Sequence, residues 1–461
     1  MNTPVVRLFA LVIVLFGVLV GFTSRWTVFE AEALRDNPNN RRVLFEEQRI
    51  KRGIIRAQDG TVLAGNRALP GERYERRYPE GELFSHAVGF SSLDRGRAGI
   101  EDYYNDPLTG RRTDAVGALE RLLGPQKIGD DLGTTLVPRA QQAAYEGLAG
   151  RPGAVVALDV ETGAVRALAA TPPYDPTEPA TAETFNRATQ GRFPPGSTFK
   201  TVTAAAALDT GRYTPGSQVS GENGKVISGT PLNNFGGEDF GSIDLTFALT
   251  NSVNTVWAEV AEDLGKQTMG EYMERFGFYT DPPMDYPDEQ MVPSGEYSAR
   301  GRVLSPTSDQ IDVGRMAIGQ DKLLVTPLQM ATVAQTIGNG GVRMEPRLVE
   351  KIVDPDGRTI DEPLPEEAER VMSRQSADQL GDMMRNVVRE GTGTAAALEG
   401  VEVAGKTGTA EIDVEQGIDT LWFIGFTEKI AVAAVVERQQ GGFGGTVAAP
   451  IAKSVLQALG D

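Results

Sequence analysis

The 461-residue chain contains no cysteine and a single histidine, His86. Without cysteine it has no disulfide, no thiol nucleophile and no cysteine-ligated metal. One histidine cannot make an H-E-x-x-H zinc site, and no G-x-S-x-G elbow is present for a Ser-His-Asp triad. His86 is therefore expected to be structural, and neither a metal nor a cofactor is implied. Basic residues are also outnumbered, with 45 Lys and Arg against 63 Asp and Glu, for a formal charge of −18. That balance argues against a nucleic-acid partner and against polybasic docking on anionic lipid. If this is a serine enzyme, lysine is the natural base.

The composition, 40% hydrophobic and 23% charged, is that of a globular protein with room for two or three domains. Residues 8–24 form an uncharged apolar run between Arg7 and Arg25, at the short end for a spanning helix. A cleaved signal peptide competes with that reading, but no A-x-A-like site follows the run. The expectation is a retained single-pass anchor over residues 1–25, with the rest of the chain outside the cytoplasm. Residues 26–130 are charge-rich and read as a small mixed module, with a hairpin turned at Asp59-Gly60. A helix is expected over 134–150 with Pro138 near its start, then a second hairpin turned at Glu161-Thr162-Gly163. A helix capped at Asp244 breaks around Asn251, and the next ends near Gly265. Residues 280–302 carry prolines, acids and glycine without a clear period and read as a long surface loop. Helices are expected at 328–337 and 376–390, and strands over 401–411, 421–426 and 430–436. A turn at 441–445 then leads to a last helix with Pro450 near its first turn.

Phe193-Pro194-Pro195-Gly196-Ser197-Thr198-Phe199-Lys200 stands apart. Two prolines and a glycine force a sharp turn, and the alanine-rich run after Thr198 favours helix. Ser197 is expected at or near the N-cap, with Lys200 on the same face. A lysine desolvated among apolar residues can lose its proton and serve as base to a serine nucleophile. Ser-x-x-Lys alone is a weak signal, but Ser252-x-Asn254 and Lys406-Thr407-Gly408 follow it in order. In this chemistry Ser252 can bridge Lys200 to a leaving nitrogen, and Asn254 can orient Lys200 and a substrate amide. Lys406 adds positive charge that favours neutral Lys200, and Gly408 lets a flat substrate lie against its strand. Gly391-x-Gly393-x-x-Ala396 mimics a dinucleotide fingerprint but follows a helix, not a strand.

These three motifs, in this order, resemble those of serine penicillin-binding proteins and class A β-lactamases, with Ser-Val-Asn in the middle. Pro195-Gly-Ser-Thr-Phe-Lys, Ala317-Ile-Gly-Gln, Val325-Thr-Pro-Leu-Gln-Met, Gly391-Thr-Gly-Thr-Ala-Ala and Ala404-Gly-Lys-Thr-Gly-Thr-Ala-Glu look like class B penicillin-binding protein segments. Asn37-Pro-Asn-Asn-Arg-Arg-Val-Leu is similar to the actinobacterial penicillin-binding protein A group. The common R-G-x-I-x-D-R-x-G is altered here, with Ala57 and Gln58 replacing its Asp and Arg. The resemblance implies an α/β (α+β) transpeptidase domain over 131–461, with an antiparallel sheet and helices. It is preceded by the anchor and a dimerisation-type module at 26–130. The implied activity is a peptidoglycan D,D-transpeptidase that takes a D-Ala-D-Ala stem peptide, releases D-alanine and passes the acyl group to an amine. β-Lactam antibiotics would acylate it, and a membrane glycan polymerase of the SEDS type would be its partner at the cell membrane. The resemblance also implies an oxyanion hole from the Ser197 and Thr409 N–H groups, with the Thr407 and Thr409 hydroxyls on a substrate carboxylate. A D,D-carboxypeptidase, a β-lactamase and a β-lactam sensor are the rival readings.

Overall fold

The computed structural model describes residues 3–26, 30, 48–111, 128–413 and 415–460. The penicillin-binding protein A-like stretch at 37–44 lies outside them. Helix α1 (Thr3–Ser24) is long and apolar enough to cross a membrane, and none of it is buried against the protein. Beyond it, β1 (Ile55–Arg56) and β2 (Val62–Leu69) form the hairpin expected at Asp59-Gly60, where Asp59 accepts from Thr61 N at 2.9 Å. β3 (Arg73–Arg77) adds a hairpin that the sequence reading missed. β4 (Asp131–Thr134) runs parallel to β1, so Thr134 ends a strand, and helix α2 (Pro138–Leu148) starts only at the proline.

The main domain is built on a five-stranded antiparallel sheet. β5 (Gly153–Asp159) and β6 (Val165–Thr171) form the hairpin turned at Gly163. Helix α3 (Lys200–Asp209) follows the serine turn, and α4 (Leu245–Thr250) and α5 (Asn254–Leu264) flank the break expected around Asn251. Asp244 caps α4 by accepting from Phe247 N at 2.7 Å, and α6 (Pro327–Gly338) is buried almost throughout. β7 (Val349–Val353) leaves the domain to pair with β4, and β8 (Thr359–Asp361) pairs with β7 at the outer edge, so one six-stranded sheet joins domain and module. α7 (Arg374–Arg389) precedes the last three strands, β9 (Ala404–Asp413), β10 (Ile418–Phe426) and β11 (Ile430–Gln440). The sheet order is β9-β10-β11-β5-β6, which leaves β9 at an edge. The strand period of two divides the core. Ala154, Val156 and Leu158 face the helical lobe, while Val155 and Ala157 pack against α2 and the C-terminal helix α8 (Gly444–Leu459). α8 begins earlier than expected, so Pro450 lies inside it rather than near its first turn.

The segment 280–302 is not a surface loop. Met284, Tyr286, Met291 and Glu296 are buried, and Gly295–Glu296 pairs with Leu323–Leu324. Its apolar anchors are too irregularly spaced to show a period. Asp285 accepts from Leu348 N at 2.6 Å, Val349 N at 2.8 Å and the module's Tyr104 hydroxyl at 2.8 Å. His86 sits at the same junction, with Nε2 2.9 Å from Pro172 O and its ring edge-on to Tyr174. Burial pushes its pKa down to about 4, so the ring is neutral and donates through Nε2. Its role is structural.

Inside the module, Glu101 is fully buried between Arg52 (2.9 Å) and Arg76 (2.5 Å). Burial alone would raise its pKa, but the two guanidiniums outweigh it and hold the carboxyl below its usual range. Removing it takes the carboxylate from two buried cations. Glu101→Ala is therefore expected to cost about 3–5 kcal/mol in denaturant unfolding. A loss below about 1 kcal/mol, the worth of a surface pair, would show that the cluster is not structurally coupled.

Candidate active site

Gly196 has φ +53°, which turns the chain sharply after the prolines. Ser197 is not an N-cap. It is the second residue of a 3₁₀ turn, Gly196–Phe199, and the α-helix starts at Lys200. Thr198 holds the turn through its Oγ1 on Pro195 O at 2.8 Å. The turn is pressed between two backbones. A Cβ on Gly408 would lie 2.6 Å from Pro195 O, and one on Gly319 would collide with Gly196 O. The Ala317-Ile-Gly-Gln segment thus backs the Ser197 turn, a contact its sequence did not disclose.

Lys200 is fully buried, and its Nζ lies 2.7 Å from Ser252 O, 2.7 Å from Asn254 Oδ1 and 3.2 Å from Ser252 Oγ. Among the described residues no hydrogen bond joins Lys200 to Ser197; the lysine is turned toward the second motif. Ser252 lies in the break between α4 and α5 with φ +60°, a left-handed conformation rare outside glycine. Asn254, the first residue of α5, is held by donating through Nδ2 to Asn233 O at 3.1 Å.

Lys406, on β9, is also fully buried and donates to Ser252 Oγ and to Thr407 O, both at 3.0 Å. Burial pushes its pKa down to about 7. Burial does the same to Lys200, reinforced by the charge of Lys406, and lowers it well below the ordinary lysine value. The third motif lines the edge strand as expected. Thr407 Oγ1 meets Thr392 Oγ1 at 2.6 Å, and Thr409 Oγ1 accepts from Gly444 N at 3.2 Å. Trp422 donates to Pro194 O at 2.9 Å and ties β10 to the serine turn. The sequence reading gave no role to Thr392, Asn233 or Gly319. Thr392 lies in the Gly391-Thr-Gly-Thr segment and Gly319 in Ala317-Ile-Gly-Gln, so those segments were visible while their contacts were not.

Two buried lysines bridged by one serine hydroxyl, with a second serine on the turn that leads into the Lys200 helix, make an arrangement suited to lysine-assisted acyl transfer on a serine. The chain belongs to the penicillin-binding protein transpeptidase family. Residues 153–457 match the penicillin-binding protein transpeptidase domain, and 52–130 match the penicillin-binding protein A dimerisation domain. The chain is 34% identical to the peptidoglycan D,D-transpeptidase PbpA of Mycolicibacterium smegmatis, over 99% of both chains. It is 32% identical to PbpA of Mycobacterium tuberculosis, again over 99% of both. It superposes on M. tuberculosis penicillin-binding protein A in its ceftriaxone acyl-enzyme with a TM-score of 0.80 and 31% identity. That match covers 90% of this chain and 99% of the other. For the penicillin G acyl-enzyme the TM-score is 0.77 at 31% identity, over 89% and 100%.

Acylation should rise with pH as Lys200 loses its proton, because only the neutral amine can take one. Lys406→Met removes the charge that helps depress Lys200. The acidic limb of the penicillin acylation profile should then move to higher pH. An unmoved limb would show that Lys406 does not act on Lys200 electrostatically.

Proposed function

We infer that the chain is a peptidoglycan D,D-transpeptidase working through an acyl-enzyme on Ser197. The observation that carries this reading is the pair of buried lysines, Lys200 and Lys406, meeting at Ser252 Oγ beside the serine turn. In it, Ser197 Oγ attacks the carbonyl between the two D-alanines while Lys200 takes its proton. The Ser197 and Thr409 N–H groups hold the oxyanion. As the C–N bond breaks, the proton passes through Ser252 to the departing D-alanine. Asn254 orients Lys200, and Lys406 with Thr407 and Thr409 receives the terminal carboxylate across the bare backbone of Gly408. An amine from a neighbouring stem peptide then attacks the ester, and Ser197 recovers its proton.

The divisions at 1–25, 26–130 and 131–461 accompany this reading, supported by α1 and by the two family matches. We assign α1 as a single-pass membrane anchor holding the catalytic domain outside the cytoplasm. β-Lactams act as substrate mimics, and the proposed protein partner is a SEDS-type glycan polymerase.

Transfer is favoured over hydrolysis by one specific feature. Class A β-lactamases activate a deacylating water with a glutamate in an E-x-x-x-N loop between the second and third motifs. Between Asn254 and Lys406 the asparagines are Asn339 and Asn386, and four residues before them stand Gln335 and Asp382. An adduct lasting hours faces a barrier of about 23 kcal/mol, against about 16 for turnover near 10 per second. Ser197→Ala should abolish fluorescent penicillin labelling. The wild-type adduct, followed by intact mass after drug removal, should persist for many minutes. Return of unmodified protein within seconds would overturn the transpeptidase in favour of a hydrolase.

A further inference from the structure

We propose that Phe235 and Phe443 form an aromatic latch across the cleft, which must part before an extended peptide can lie along the free edge of β9. The two side chains are 74% and 49% exposed, so neither belongs to the core. Yet they find each other edge to face, with ring centroids 5.4 Å apart and planes at 86°. Contact removes apolar ring surface from water that each would otherwise expose alone.

The rings come from opposite walls of the site. Phe235 opens the 3₁₀ turn Phe235–Gly237. The residues just before it grip the second motif: Asn233 O accepts from Asn254 Nδ2, and Asn234 Oδ1 accepts from Thr255 N, both at 3.1 Å. Phe443 directly precedes α8, and the next residue, Gly444, donates to Thr409 Oγ1 at 3.2 Å. Gly444 also packs so closely on β9 that a Cβ would collide with Gly408 O. One ring is thus tethered to the Lys200–Asn254 side and the other to the Lys406–Thr409 side. The ring contact therefore links the two sides.

Glycines adjoin both rings. Gly236 and Gly237 have φ +67° and +74°, and Gly441 and Gly442 have +69° and +90°, so each ring is flanked by two glycines whose backbone is free of Cβ restraint. The edge of β9 is where a peptide would add as a further strand. Taking an extended peptide as the ligand rests on the transpeptidase reading. A compact β-lactam demands less room than a stem peptide, so the latch would discriminate by length.

The chain has no cysteine, so the full-length Phe235→Cys/Phe443→Cys protein can be cross-linked there by a disulfide-containing bis-maleimide. Acylation by a stem-peptide thioester should fall at least about tenfold on linking, the scale of a gating step, and return when the linker is reduced. The Phe235→Ala/Phe443→Ala protein should acylate faster than the parent. Equal peptide rates in the linked, reduced, alanine and parent proteins would overturn the latch. Fluorescent penicillin labelling of Ser197 in the same samples separates the two ideas. Labelling with unchanged peptide rates removes the latch and leaves the transpeptidase standing. Labelling with no peptide acylation in any form, parent included, removes the peptide ligand and the latch together.

Discussion

Two buried lysines share one hydroxyl, and the chemistry of the site follows from how few protons that arrangement can hold. Lys200 and Lys406 both reach Ser252 Oγ, and among the described residues no carboxylate hydrogen-bonds to either. Burial without a counter-ion favours the amine over the ammonium. The two shortest bonds of Lys200, at 2.7 Å, go to oxygens that can only accept, Ser252 O and Asn254 Oδ1. The third contact, donated to Ser252 Oγ, is longer at 3.2 Å. Ser252 Oγ can still accept from Lys406. This pattern joins Lys200 and Lys406 through one serine hydroxyl and sets Lys406 on the edge strand β9.

The rest of the fold holds that arrangement in place. Ser252 keeps its left-handed backbone because the end of α4 holds the break: Ser252 N donates to Leu249 O at 3.2 Å and Val253 N to Ala248 O at 2.9 Å. Lys200 opens a helix buried along nearly its whole length, and Lys406 sits on a strand buried around it. Neither lysine can relieve its desolvation by swinging into water. Gly408 and Gly319 bring β9 and the 317–320 segment into contact with the serine turn, distances that any side chain would spoil. The module is bound into the same frame, since β7 and β8 extend its sheet and Asp285 ties Tyr104 to the start of β7.

Much of this was legible in the sequence, for physical reasons. Glycine, proline and capping signals mark breaks directly, so the Ser197 turn, the Asp244 cap, the Asn251 break and the Gly163 hairpin all appear where expected. Three short motifs in order then pointed to Lys200, Ser252, Asn254 and Lys406, which the fold brings into contact. Local signals could not say which partner a side chain selects. Ser197 and Lys200, one turn apart, suggested each other, whereas the folded lysine is turned toward Ser252 and Asn254, 52 and 54 positions away. The same limit hid Glu101 between Arg52 and Arg76, and the docking of 280–302 on the module. Pro450 misled because proline near a helix start is the commoner pattern, and here the helix had already begun at Gly444.

The contrast between the floor of the site and its rim bears on how one serine can serve two peptides in turn. Attack on a carbonyl tolerates little misplacement of base or oxyanion donors, so the groups that move protons stand on buried, close-packed segments. The donor and the acceptor must both reach the same ester, however, and a cleft rigid all round would admit one and obstruct the other. The variable part therefore belongs at the rim, where Phe235 and Phe443 meet with little core packing and with glycines beside them. A weak apolar contact suits that position. It sheds water while the cleft is empty, it carries no charge to compete with Lys406 for the carboxylate, and parting it leaves the hydrogen bonds beneath intact.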